Sequence, residues 1–310
     1  MTRTPPKDLA ASIRQRLQNI EGLRQDFQYV LIRYASERLL YRLSRSPHRN
    51  RFVLKGAMLF AVWSGDRARP TRDIDLLGYG PPDPEKLRQT FREICTVECP
   101  EDGLSFDPDS VEAAEIREAD EYGGIRVTVP AYLGQSRITV QVDVGFGDAI
   151  VPSPEVVEYP VLLQFPAPTL LAYPKAAVVA EKFHAIVALG LLNSRMKDFF
   201  DLAVLARDHA FDGGRLSEAL RVTFGRRQMP LPTDIPPALS IEFTSDPAKR
   251  AQWDSFISRR YVGGEEITLT GATEAITDFL MPPSRALAQG DLFTKTWSPG
   301  GPWRSKSGTR

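Results

Sequence analysis

Apolar residues recur at helical spacing from about residue 8 to 46: Leu17, Ile20, Leu23 and Phe27, then Val30, Ile32, Leu39, Leu40 and Leu43. Gly22 falls between the two groups and predicts a break between two helices. After the basic loop "SRSPHRN", the stretch "FVLKGAMLFAVW" (52–63) reads as the end of one element and the start of a helix. "RARPTRDIDLLGYG" (67–80) is an apolar run carrying two acids and ending in glycines, a candidate strand. "PPDPEKLRQTFREIC" starts a helix with Asp83 placed as N-cap. In "GGIRVTVPAYLGQSRITVQVDVGFGD" (123–148) two alternating runs flank Gly134, the pattern of a hairpin.

Residues 151–168 are rich in proline and predict a connector. From Leu170 the pattern turns helical, through 172–192, 197–210 and 215–227. A second proline-rich bridge (229–240) precedes two more helices at 246–261 and 272–287. The segment from 291 is Gly-, Ser-, Pro- and Arg/Lys-rich and is expected to be disordered. Helices, then mixed strands and helices, then helices alone make an α+β protein. A core with a small mixed sheet is expected over 1–168, a helical domain over 169–290 and a tail over 291–310.

Composition changes this picture little. The 310 residues suffice for two domains, and zero formal net charge leaves nucleic-acid binding to a local patch. Cys95 and Cys99 lack nearby partners for a zinc site, and three histidines rule against a histidine-rich metal centre. No run is long enough to span a bilayer and the N-terminus has no apolar signal core, so the cytoplasm is the expected location.

The chemistry lies in the acids. In a strand, Asp73 and Asp75 share a face while Ile74 and Leu76 take the other. Two readings stand: solvated charges on an edge strand, or a pair sharing Mg²⁺, which offsets their repulsion and favours carboxylates plus substrate phosphates. In "RITVQVDVGFGD", Ile138, Val140, Val142 and Val144 form one face, and Asp143 ends the polar stripe on the other. If the two strands are close, three carboxylates meet, as suits phosphoryl or nucleotidyl transfer. Lys182 falls on the apolar stripe of Val179 and Ile186, either snorkelling or aimed into a cleft toward phosphate. Asp198 and Asp201, three apart at a helix start, either cap the helix and complement its dipole or serve the site. Lys55-Gly56-Ala57 is at minimum a tight turn.

Taken in order, "FVLKGAMLF", "RPTRDIDLLG", "VDVGFGD", "AEKFHAIV" and "RMKDFFDL" resemble the AbiEii/AbiGii nucleotidyltransferase toxins of type IV toxin–antitoxin and abortive-infection systems, which include the mycobacterial MenT toxins. The resemblance runs from about residue 10 to about 285. It implies a DNA polymerase β-like nucleotidyltransferase fold with a helical second half. It implies catalytic Asp73, Asp75, Asp143, Lys182 and Asp198, with Asp148 a lesser alternative to Asp143. Asp73, Asp75 and Asp143 would hold Mg²⁺; Lys55, Gly56, Ala57, Thr71, Arg72 and Lys182 would bind the nucleotide. Ala57 departs from the commoner Gly or Ser: it lacks a hydroxyl and disfavours positive φ. The implied reaction transfers NMP from an NTP to an acceptor, the 3′ end of tRNA first among them, blocking translation. "SRSPHRNR", Arg221, Arg226 and Arg227 are candidate contacts to the RNA backbone. A cognate antitoxin is the implied partner. The rivals are transfer to a protein or small molecule, and a binding protein with a decayed site.

Overall fold

A computed structural model describes residues 8–20, 27–65, 70–116, 124–258 and 267–306. The chain divides into two compact units, 1–148 with 155–172, and 149–154 with 173–310. The first unit holds α1 (Leu9–Gln18), α2 (Phe27–Arg45), β1 (Phe52–Lys55), α3 (Leu59–Ser64), β2 (Asp73–Gly78), α4 (Pro84–Cys95), β3 (Leu104–Phe106), β4 (Glu112–Glu115), β5 (Ile125–Leu133), β6 (Ser136–Phe146), β7 (Glu155–Glu158) and β8 (Thr169–Ala172). The second holds α5 (Lys175–Leu189), α6 (Met196–Asp208), β9 (Phe211–Asp212), α7 (Gly213–Arg226), α8 (Ile241–Ser245), α9 (Pro247–Ser258), α10 (Leu269–Ala288), β10 (Thr296–Trp297) and β11 (Trp303–Arg304). The protein is α+β, as its pattern predicts.

Among the described residues, eight strands form one mixed sheet in the order β3-β5-β6-β2-β1-β8-β7, with β4 also on β5. β2 runs parallel to β6 and antiparallel to β1, so both its edges are hydrogen-bonded. The edge-strand reading of Asp73 and Asp75 therefore fails. One face of the sheet is apolar: Ile74 and Leu76 of β2 and Val142 of β6 gather with Leu39, Leu40 and Leu43 of α2 and Phe91 of α4. Ile138, Val140, Val142 and Val144 are all fully buried. Alternation then forces the acids of β2 and β6 onto the opposite face. Asp83 caps α4 as expected, its Oδ1 accepting from Lys86 N at 3.1 Å.

A buried ionic knot fixes α2 to the chain around it. The Arg38 and Arg42 guanidiniums both donate to Asp102, at 3.0 and 2.6 Å, and Tyr34 donates to the Asp102 carbonyl. Arg38 also donates to the Pro166 carbonyl, while Glu37 accepts from the Leu162 backbone N–H. Residues 159–168 are thereby strapped onto α2.

Three expectations are corrected. The connector 151–168 contains β7, and the turn to helix comes after β8 rather than at Leu170: four-residue strands are too short to show a period, and β8 is specified by pairing with β1 and β7. The first unit's sheet therefore runs to Ala172, beyond the expected boundary at 168. Residues 291–306 are not a disordered tail. Trp297 Nε1 donates to the Ala206 carbonyl and Trp303 Nε1 to the Phe279 carbonyl, and β10 pairs with both β9 and β11. Two tryptophans supply enough apolar area to order a segment that is otherwise polar and glycine-rich. Gly22 and residues 307–310 lie outside the described residues.

Candidate active site

Register builds the first cluster. Lys55 is opposite Asp75 across β1 and β2, Asp75 opposite Asp143 across β2 and β6, and Asp143 opposite Arg126 across β6 and β5. Cross-strand partners share a face. The row Lys55–Asp75–Asp143–Arg126 thus crosses four adjacent strands with charges +, −, −, +. Asp73 stands on the same face two residues before Asp75, in register with Gln141. Arg126 donates Nε and Nη2 to the two oxygens of Asp143, each at 2.8 Å, a bidentate pair. Lys55 donates Nζ to Asp148 at 3.1 Å, passing Gly145, where an added Cβ would come within 3.3 Å of the ammonium.

Gly56 carries the tightest constraint. Its φ is +72°, and a Cβ there would lie 2.0 Å from Asp75 Oδ2. The carboxylate therefore rests against the glycine backbone, and no side chain fits between them. Ala57 does not take positive φ; Gly56 does, so the concern raised by the Ala57 departure falls on its neighbour, where glycine is present. Ala57 is buried in the turn leading to α3. Thr71 is half-buried and Arg72 exposed, immediately before β2.

The second unit holds a different cluster. Lys182 of α5 is 2.6 Å from Asp198 and 3.0 Å from Asp201, both on α6. Arg195 Nε donates to the other Asp198 oxygen at 2.8 Å. Asp198 and Asp201 are essentially inaccessible, and the Lys182 side chain is 12% exposed. Lys182 does not snorkel to water, and Asp198 does not cap its helix. Burial pushes the Asp198 carboxyl up, but Lys182 and Arg195 together outweigh it and hold the group below its ordinary value.

The structure thus brings Asp73, Asp75 and Asp143 to one face with Lys55 and Gly56, and separately joins Lys182 to Asp198. The site reading from sequence omitted Arg126 and gave Asp201 no partner. Arg126 alternates with Val127 and Val129 on a half-buried strand, so its pairing was readable only from the hairpin register. Asp201 shares the helix start with Asp198, at a spacing that also suits capping. Basic residues differ in availability: Arg221 and Arg226 are exposed, whereas Arg227 is half-buried and bonded to His184 Nδ1 at 3.0 Å. Burial first, and then Arg227, holds His184 near 4, well below its ordinary value. Residues 44–51, the end of α2 and the loop after it, precede β1 and lie at the opposite end of that strand from Lys55.

Magnesium is the ion the sequence reading requires. Asp73 and Asp75 supply oxygen donors alone, which suits a hard cation that keeps other positions for water and phosphates. Among the described residues no three His, Cys, Asp or Glu side chains converge in a metal-holding group, and both Asp143 oxygens are given to Arg126. The donor set fits a two-carboxylate site; the expected three-acid cluster is not assembled.

A family profile described as nucleotidyl transferase AbiEii toxin, type IV TA system, matches residues 38–278. No curated protein sequence matches significantly. Among solved structures, the fold is similar to that of MenT4, a nucleotidyltransferase toxin from Mycobacterium tuberculosis H37Rv, with a TM-score of 0.53 and 19% identity over 90% of this chain and 93% of that one. JHP933 from Helicobacter pylori gives a TM-score of 0.45 and 12% identity, over 84% of this chain and 92% of that one.

Proposed function

The chain belongs to the AbiEii family of nucleotidyltransferase toxins, and from that membership we propose that it transfers NMP from an NTP to the 3′ end of tRNA with Mg²⁺, so arresting translation. The observation that carries the chemistry is the packing of Asp75 against Gly56 in a row flanked by Lys55 and Arg126. Phosphoryl-type transfer depends on positioning and charge more than on covalent chemistry. The glycine turn lets the Asp75 carboxylate lie directly against the backbone. Asp73 and Asp75 would hold Mg²⁺, which when bound adds positive charge at the phosphates and makes a hydroxyl more nucleophilic.

The protein's own groups do the rest. Lys55 and the backbone at Gly56 and Ala57 orient the triphosphate, with Thr71 and Arg72 beside them. Asp143, whose oxygens Arg126 holds, would on giving up that pair accept the proton of the attacking hydroxyl or add a third ligand. Lys182, the lysine that the family resemblance assigns to the nucleotide, is held in the second unit by Asp198 and Asp201. Arg221 and Arg226, both exposed, are the better candidates for RNA backbone contacts than Arg227, which His184 already engages. Family membership implies an NTP substrate and an antitoxin partner. No helix among the described residues is long and apolar enough to cross a membrane; the proposed site of action is the cytoplasm, where tRNA is charged.

The test is toxicity. Expression of the full chain should slow growth, and Asp73→Ala should abolish the effect at equal protein level. Undiminished toxicity of that variant would remove the acid pair from the mechanism. Charge reversal at Arg221 and Arg226 together should weaken tRNA binding and flatten its salt dependence by about two units of slope; an unchanged slope would exclude them as contacts.

A further inference from the structure

The two acid–base clusters differ in one respect that bears on metal binding. Lys182, Asp198 and Asp201 are locked in the interior, whereas Arg126 and Asp143 are respectively 43% and 21% exposed. The exposed pair is bidentate: both oxygens of Asp143 are occupied by the guanidinium at 2.8 Å. Asp143 is also the register neighbour of Asp75 on the adjacent parallel strand, and strands lie about 4.8 Å apart. Two carboxylates at that spacing need a cation between or beside them. In the row Lys55–Asp75–Asp143–Arg126 two cations face two acids, and Asp73 on the same face and Asp148, which holds Lys55, add two more, so two cations meet four acids with no metal bound.

We infer that Arg126 is an exchangeable counterion of Asp143, held by it when the acids carry no metal and released when a divalent cation takes that carboxylate. The inference rests on the proposed metal-binding role of Asp73 and Asp75. Three features support exchange over a permanent tether. Arg126 lies at the water boundary, where an ion pair is easily opened. A hard cation needs the same oxygens that the guanidinium now holds. And a divalent ion brings the two positive charges by which Lys55 and Arg126 fall short of these four acids, so it can take over the guanidinium's role at Asp143. Arg126, once freed, is a planar donor suited to a phosphate. Arg126 is thus a positioning residue that sets how much Mg²⁺ the site requires.

The measurement is Mn²⁺ binding to the full-length protein by calorimetric titration, with no nucleotide or RNA present. Arg126→Gln should bind Mn²⁺ roughly fivefold tighter than wild type, and Arg126→Lys, which keeps the charge but not the fork, should fall between. In an Asp143→Asn background the Arg126→Gln gain should disappear, since the contested carboxylate is gone. An equal gain in that background would show a general field effect and overturn the exchange. Weaker or unchanged binding in both Arg126 variants would overturn it as well, showing that the arginine holds Asp143 in its ligating position. Wild-type binding that Asp73→Ala abolishes leaves the metal-site reading standing in either of those cases; a wild type that binds no Mn²⁺ overturns both. Arg126→Lys keeps the test decisive if Arg126→Gln does not fold.

Discussion

At the scale of single residues, Gly56 and Glu37 make opposite kinds of demand. Gly56 is required twice over, by a φ of +72° and by an Asp75 oxygen 2.0 Å from where its Cβ would stand. Gly56→Ala must displace Asp75, and a shift of that size at a reacting centre costs about 100-fold in rate; steady-state kinetics showing activity within a few-fold of wild type would refute the packing described. Glu37 is buried with one oxygen accepting from Leu162 and the other without a partner. Burial pushes its carboxyl up to about 8. The folded chain therefore holds a proton that the unfolded chain releases near 4.5. Its contribution is full below about 4.5 and is lost as pH rises through about 8. Glu37→Gln, which mimics the neutral acid, should remove that decline. The difference in unfolding free energy between variant and wild type should grow with pH across this window, by up to about 1.4 kcal/mol per unit. A difference that stays flat in denaturant titrations from pH 5 to 8 would mean that Glu37 is ionised when folded.

At the scale of elements, pairing decides what periodicity cannot. The hairpin of β5 and β6, the helix after Asp83 and the helical run from Lys175 were legible because each repeats its pattern over nine residues or more. β7 and β8 were not: runs of four residues in or beside a proline-rich stretch carry no period, and pairing makes them strands, β8 with β1 and β7 with β8. The same holds for the site. Asp73 and Asp75 showed their common face in sequence, whereas the partners Arg126 and Lys55 emerge only from register. The α5–α6 contact is a further case, since Lys182 and Asp201 lie nineteen residues apart with no local signal joining them. Removing the lysine leaves Asp201 buried without that partner. Lys182→Ala should lose about 3 kcal/mol of stability in urea unfolding, and adding Asp201→Asn should recover part of it. No recovery in the double variant would show that the pair does not carry the loss.

At the scale of the whole molecule, the chain is an α+β protein of two units, one carrying the acid row and the other the buried lysine. The C-terminal segment belongs to the second unit's core, which composition alone concealed: a Gly-, Ser- and Pro-rich stretch reads as disordered until Trp297 and Trp303 are seen to bond Ala206 and Phe279. Trp297→Ala should destabilise the protein by about 3–5 kcal/mol; a melting temperature unchanged by it would mean that the segment does not pack as described. Zero net charge and the absence of a long basic stripe give the acceptor no signature in sequence, so the substrate must be found by transfer itself. The direct measurement is incubation of the full-length protein with each α-labelled NTP, Mg²⁺ and total cellular RNA, alongside folded Asp73→Ala and Lys182→Ala. Label entering the tRNA band with at least one nucleotide, and absent with both variants, is the expected result. Label in tRNA that persists in Asp73→Ala, or no label in RNA with any nucleotide, would contradict Mg²⁺-dependent transfer to tRNA by the acid pair.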